Sequence, residues 1–147
     1  MDVLFKNSTT RELLLSDIGV ITVDGRCFKR YLEIAKVLRN KVAVITDNDG
    51  NYAENITINY SEYTQNQFPN IRIFSDSDDM RKTFEICLYN DNREICETEF
   101  QTSRRRIGVL EYMLKNKADA AYILLKNRAD ELIVPQYIQD ASIWIDA

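Results

Sequence analysis

Asp47 and Asp49 are the residues whose type and spacing point most directly to chemistry. They stand in Val42–Gly50, VAVITDNDG, where a short, β-branched apolar run stops at two carboxylates separated by Asn48. Such a run reads as a buried strand. In an open parallel sheet, ligands sit outside the carboxyl ends of the strands, and Gly50 lets the backbone turn sharply behind the pair. Two carboxylates one residue apart can converge on one hard cation. Magnesium suits them, because it takes one or two carboxylates together with waters and phosphate oxygens. The competing reading is a plain Asp-Asn-Asp-Gly surface turn, which the same residue types favour. A calcium-binding EF-hand loop fits badly. It needs glycine at its sixth position and a closing Glu at its twelfth, whereas Gly50 is fourth here and Ile58 stands where the Glu belongs.

What the chain lacks narrows the chemistry further. It has no histidine, and its three cysteines, Cys27, Cys87 and Cys96, show no C-x-x-C spacing. No Ser-His-Asp or Cys-His nucleophile can be built, and a structural zinc site is excluded on the same ground. Acid–base work falls to Asp, Glu, Lys or Tyr. An odd cysteine count argues against a disulfide framework and for a reducing cytoplasm. The net charge of −4 is not that of a strongly basic nucleic-acid binder, although a bound divalent metal brings positive charge of its own. No apolar run approaches the ~20 residues of a membrane span, so no membrane partner is expected. The 147 residues are the usual size of one domain.

The elements that must position the aspartates follow from the pattern. Residues 1–16 are helix-compatible. Ile18–Val23, IGVITV, reads as a strand buried on both faces and stopped at Asp24-Gly25. Residues 27–38 place Phe28, Tyr31, Leu32, Ala35 and Leu38 at helical spacing. A second strand, Lys41–Thr46, follows at once, and strand, helix, strand in so short a span is a βαβ unit with a parallel sheet. Ile71–Phe74 is a third strand, with 51–69 a long polar loop that carries at most a short helix. Asp76–Asp79 reads as a turn leading into the first turn of a helix, where acids favour the dipole, and that helix runs to about Tyr89. The C-terminal third is helical over 107–115, 118–126 and 136–145, with Pro135 suited to a helix start. The fold class expected is α/β: a mainly parallel sheet of three to four strands flanked by helices, Rossmann-like, with strands 18–23, 41–46 and 71–74 as neighbours.

The order "strand ending in Asp-Gly, helix, K-V-A-V-I-T-D-N-D-G" resembles the middle of a Toprim domain of the OLD (overcoming lysogenization defect) family of ATP-dependent endonucleases. Three further pieces sit in family order. Thr83-Phe84-Glu85 resembles its T-[LF]-E element, Asn116-Lys117-Ala118-Asp119-Ala120-Ala121 its N-K-x-x-A element, and Pro135–Ile138 with Ala141–Ile145 its closing P-x-Y-I…A-x-x-W-I helix. The resemblance spans about residues 18–146. It implies a Toprim-like single domain over 1–147 and a divalent-metal DNA endonuclease of the kind used in phage defence. By resemblance, Asp47 and Asp49 are metal ligands for Mg2+ or Mn2+ and Glu85 is a further carboxylate of the site. Lys117 stabilises charge on the scissile phosphate or on the attacking water. Ions about 3.5–4 Å apart can clamp the entering and leaving oxygens of a phosphodiester, which also answers the missing histidine. The partners implied are DNA and an ATPase domain, in the same polypeptide or a separate chain, and a homo-oligomer stays open.

One departure bears on activity. Toprim domains begin with a strand followed by a Glu-Gly pair, and no Glu-Gly occurs here: Glu12 lies in a helical stretch and Glu33 in the crossover helix. No G-x-x-x-x-G-K-[ST] phosphate loop occurs either, so the family's ATPase domain is absent from this sequence. The expectation is the C-terminal part of a longer enzyme or a degenerate stand-alone product, incomplete and inactive by itself. A haloacid-dehalogenase-type phosphatase is a rival, since it too uses D-x-D-G after a buried strand, with the first Asp as nucleophile. It wants Thr or Val where Asn51 stands. The other rival is a catalytically inactive Toprim-like interaction or regulatory module. Thr83, Phe84, Tyr137 and Trp144 read as packing or interface rather than chemistry. Arg104-Arg105-Arg106 is a short basic run, more often solvated surface than a phosphate contact. Asp76, Asp78 and Asp79 read as helix-capping acids before they read as ligands.

Overall fold

The computed structural model describes residues 1–25, 28–64, 67–103 and 106–147. Two parallel strands, β1 (Val42–Ile45) and β2 (Ile71–Phe74), form its sheet, with Val42 opposite Ile71 and Ile45 opposite Phe74. Around them lie α1 (Asp2–Thr9), α2 (Lys29–Leu38), α3 (Ser61–Thr64), α4 (Phe84–Asp91), α5 (Arg93–Phe100), α6 (Val109–Lys115), α7 (Lys117–Asn127) and α8 (Gln136–Asp146). The domain is α/β with a small parallel sheet and a helical C-terminal third. The polar segment after β1 holds a π-helical turn, Ala53–Ile58, ahead of α3.

Strand alternation sorts the two sides of the sheet. Val42, Val44, Ile71 and Ile73 join Phe28, Leu32 and Ala35 of the α2 segment and Tyr60 and Tyr63 of the crossover in one core. The other side is covered by α8, which packs on both strands and on α1. Leu4, Cys87, Val134, Tyr137 and Ile138 meet Phe74 and Phe84 there. A third core, built on Leu88, Cys96, Phe100, Met113 and Leu124, holds α4 to α7 together. Buried Asn92 joins it to the rest. Its amide donates to the carbonyls of Leu88 (3.0 Å) and Ile133 (2.8 Å), and its oxygen accepts from Ile133 N–H at 2.7 Å.

Two expectations are corrected. Ile18–Val23 forms neither helix nor strand and pairs with no strand among the described residues, so the sheet there has two strands rather than three to four. Val20 is 56% and Ile21 67% exposed, not buried on both faces. Only Val23 reaches a core, beside Val42 and Ile73, and without a hydrogen-bonded neighbour an apolar run has strand composition but no ladder. Gly25 follows this run at a left-handed φ of 60°. Second, the turn at Asp76–Asp79 does not open a helix: α4 begins only at Phe84 and runs to Asp91. The sequence pattern assigns no element to 93–100, where α5 stands as a separate helix between α4 and α6, divided from α4 by Asn92, the N-cap residue of α5.

Candidate functional site

Beyond β1 the backbone turns through two consecutive left-handed residues, Asp49 at φ 53° and Gly50 at φ 81°. Glycine accepts this freely and Asp tolerates it as a single residue. The turn is held from inside by Asn48, which is 1% exposed. Its amide nitrogen donates to the carbonyls of Asp76 (2.8 Å) and Asp78 (2.9 Å), and its oxygen accepts from Gly50 N–H at 2.7 Å. Its own carbonyl accepts from the Asn55 amide at 2.7 Å. Asp49 N–H donates to the Lys82 carbonyl at 3.1 Å, and Tyr52 N–H to the Asp79 carboxylate at 2.7 Å. The loop after β1 is thus clamped to the loop after β2. In the sequence Asn48 reads as a spacer between two aspartates. Its role as the buried hub could not be read there, because the carbonyls it serves lie about thirty residues away.

That clamp sets Asp47 against the start of α4. Its carboxylate accepts the Phe84 N–H at 2.9 Å. Thr83, the N-cap residue of α4, makes no side-chain cap bond, so a carboxylate distant in sequence caps the helix, in the position where negative charge is favoured. At the next residue of α4, Glu85 is held by Lys117, the first residue of α7, at 3.0 Å. The Glu85 side chain is 14% exposed and that of Lys117 51%.

The electrostatics follow from this placement. Burial pushes the Asp47 carboxyl above the usual carboxylate range, and the charges of Glu85 and Asp49 push it the same way. The Phe84 N–H and the Lys117 ammonium pull against them without prevailing. All four sequence-derived site residues are therefore within electrostatic reach of one point. Asp49 is exposed at the rim. Among the described residues no group of three or more carboxylates or thiols is gathered as a ready-made metal cluster. Nonetheless the donor set fits a hard divalent cation. It is all oxygen, its half-buried member is destabilised by like charge that a cation would relieve, and the adjacent Thr83 Oγ1 is buried with no hydrogen-bond partner. Asp47 and Asp49 would hold such an ion, with Glu85 beside them.

The aspartates after β2 are committed elsewhere. Asp76 pairs with Arg81 at 2.6 Å, and Arg81 reaches on to both carboxylate oxygens of Asp91 at 2.9 and 2.8 Å. Burial raises Asp76, but the Arg81 hydrogen bond and charge and the Asp78 N–H outweigh it and hold the carboxyl low. Asp78 accepts from Met80 N–H at 2.8 Å. None of the three caps a helix, as their types had led us to expect. They brace the turn that carries α4. Cys87 lies behind them, its thiol pushed up to about 12 by burial, and is not a nucleophile.

Residues 1–49 match the family model described as Overcoming lysogenization defect protein-like, TOPRIM domain. The match supports a Toprim domain of the OLD family. It contains β1, Asp47 and Asp49, whereas Glu85, Lys117 and the closing helix lie outside the matched residues. No curated protein matches the chain, and no solved structure does. A Toprim domain points to a nuclease-type, metal-dependent function, with DNA and an ATPase domain as the associations the OLD family suggests. No helix among the described residues is long and apolar enough to cross a membrane. As read from the sequence, Tyr137 is buried in packing and Trp144 lies against Phe74, ring centroids 5.9 Å apart. Of the basic run, Arg104 and Arg105 lie outside the described residues, and Arg106 is exposed.

Proposed function

We propose that this chain carries the metal- and DNA-binding site of an OLD-family Toprim endonuclease, with Asp47 and Asp49 as ligands for Mg2+ or Mn2+, Glu85 as a third carboxylate and Lys117 as the cation facing the phosphate. The observation that supports it is the half-buried Asp47 carboxyl, raised by burial and by Glu85 and Asp49 at the end of β1. A plain surface turn leaves its acids solvated, whereas this one packs the Asp47 carboxylate against the start of α4, where the charges of Glu85 and Asp49 act on it. Bound metal supplies Lewis-acid stabilisation of phosphate oxygens and a water of lowered pKa. The chain's own residues do the rest. Asp47 is fixed by the Phe84 N–H, Glu85 is oriented by Lys117, and Lys117 moves from Glu85 to a phosphate oxygen when substrate arrives.

The site is one carboxylate short of the family pattern, since residues 1–147 contain no Glu-Gly pair. We therefore take the domain to act as part of a larger unit that includes an ATPase domain, in the cytoplasm, where its buried free Cys87 and Cys96 would stay reduced. The reading without catalysis, a Toprim-like interaction or regulatory module, draws on the same missing pair. Metal-stimulated DNA binding separates the two. With a fluorescein-labelled oligonucleotide, addition of Mn2+ should tighten binding by the wild type and not by Asp47→Ala, Asp49→Ala. Equal stimulation of both proteins would remove the proposed site.

A further inference from the structure

A second basic locus lies at the opposite end of the sheet. The Lys41 ammonium is 4.8 Å from the Trp144 ring centroid and the Arg72 guanidinium 5.2 Å from it. The ring is itself backed by Phe74. Strand alternation explains the meeting. Lys41 and Arg72 point to the side of the sheet covered by α8, and β1 and β2 are in register so that Arg72 stands beside Ala43. Arg39 follows α2 in a left-handed conformation, two residues before Lys41. Among the described residues none of Arg39, Lys41 and Arg72 makes a salt bridge. Other basic residues of this acidic chain do: Arg11, Lys36, Arg81, Lys115, Lys117 and Arg128 are each paired with a carboxylate.

We infer that Lys41, Arg72 and Arg39 form a phosphate-binding locus for the nucleic-acid backbone, with Trp144 holding two of the cations in place. Unpaired cations fixed by cation–π contact keep their charge available for an external anion while losing side-chain freedom in advance. Position favours a long polyanion. Lys41 and Asp47 are six residues apart along β1 and its extension, about 20 Å at the rise of a strand. That is about six base pairs of duplex at 3.4 Å each. A DNA held at the carboxylates would meet the cations half a helical turn away. Trp144 contributes through its ring to the cations and not as a stacking platform, because Phe74, Lys41 and Arg72 already lie against it.

This inference rests on the proposal that the domain binds DNA, and its test is kept apart from the metal site by working in EDTA. Anisotropy titrations with a labelled 20-base-pair duplex are run over a range of salt on wild type and on Lys41→Gln with Arg72→Gln. The double variant should bind about tenfold or more weakly, with the slope of log K against log salt reduced by about 2. Trp144 is the chain's single tryptophan, so its emission should change on DNA addition to wild type and not to the double variant. Unchanged affinity and slope in the double variant would overturn the locus while leaving the Mn2+-stimulated increment free to support the metal site. Loss of that increment with the locus intact would do the reverse. Polyglutamate binding as tightly as DNA would also overturn it, in favour of an acidic protein partner.

Discussion

The Asp47 carboxylate accepts the backbone N–H of Phe84 at 2.9 Å, across thirty-seven residues of sequence. This bond makes the strand end and the start of α4 one unit, and it fixes which aspartate of the pair is buried. Asp47 is half-buried and capped onto a helix, while Asp49 stays at the rim. The two proposed ligands therefore differ in kind, one rigid and destabilised, one accessible.

A destabilised carboxylate has a consequence for stability. The Asp47 carboxyl is raised in the folded state, so the native protein holds a proton there more tightly than the unfolded chain. Its contribution is fully present below the unfolded pKa and is lost as pH rises through the folded one. At neutral pH the ionised group works against the fold. Asp47→Asn, which can still accept the Phe84 N–H, should raise Tm at pH 7. The gain over wild type should shrink as pH falls through the carboxylate range. A Tm lowered at pH 7 would mean that the carboxylate stabilises the fold instead.

Asn48 should matter more to the site than its neutral side chain would indicate. Asn48→Ala leaves the carbonyls of Asp76 and Asp78 and the Gly50 N–H without their partner, and buried groups so orphaned cost about 1–3 kcal/mol each, with partial relief by water. A loss of roughly 2–3 kcal/mol corresponds to about 4–12 °C in Tm for a domain near this size. Thermal unfolding checks it. A shift under about 1 °C would show that the two loops are not held through this residue.

Lys117 should show opposite effects on binding and turnover. Its ammonium neutralises Glu85 and lowers Asp47, the same service a divalent ion would render. Lys117→Ala should therefore tighten Mn2+ binding while impairing DNA cleavage by a form preceded by a strand ending in Glu-Gly. Tm should move by no more than about 2–4 °C, since a half-exposed ion pair is worth ~1 kcal/mol or less. Weaker metal binding in this variant would assign Lys117 a structural task only.

Cleavage itself should depend on a carboxylate that this sequence does not supply. The 147-residue chain is expected to nick supercoiled plasmid slowly or not at all with Mg2+ or Mn2+. A form preceded by a strand ending in Glu-Gly should nick it in a metal-dependent way. Robust metal-dependent nicking by the short chain, abolished by Asp47→Ala, would refute the claim that the missing glutamate limits activity.

Much of this was legible from residue types. The apolar β-branched runs marked β1 and β2 because both ended up in a ladder. Phe28, Leu32 and Ala35 marked the buried face of α2. Ile18–Val23 misled because composition reports the capacity to form a strand, and the partner that realises it is a matter of tertiary structure. The aspartates were visible as a pair, but the inequality between them was not, since it depends on a helix thirty-seven residues on. Likewise nothing local in Arg81 announces that it ties Asp76 to Asp91, and Asp76, Asp78 and Asp79 looked like helix caps because their types suit both tasks. Glu85 and Lys117 entered through resemblance alone, and their 3.0 Å ion pair beside Asp47 is what gives that resemblance a physical footing.

The central claim is that Asp47 and Asp49 together hold a divalent cation. Isothermal calorimetry with Mn2+ tests it most directly, on the wild type and on Asp47→Ala, Asp49→Ala, after circular dichroism has shown both to be folded. The expected result is a saturable binding isotherm for the wild type that disappears in the double variant. It should weaken as pH falls through the carboxylate range, where the raised Asp47 carboxyl takes up its proton. Binding of equal affinity and stoichiometry by the two proteins would contradict the account.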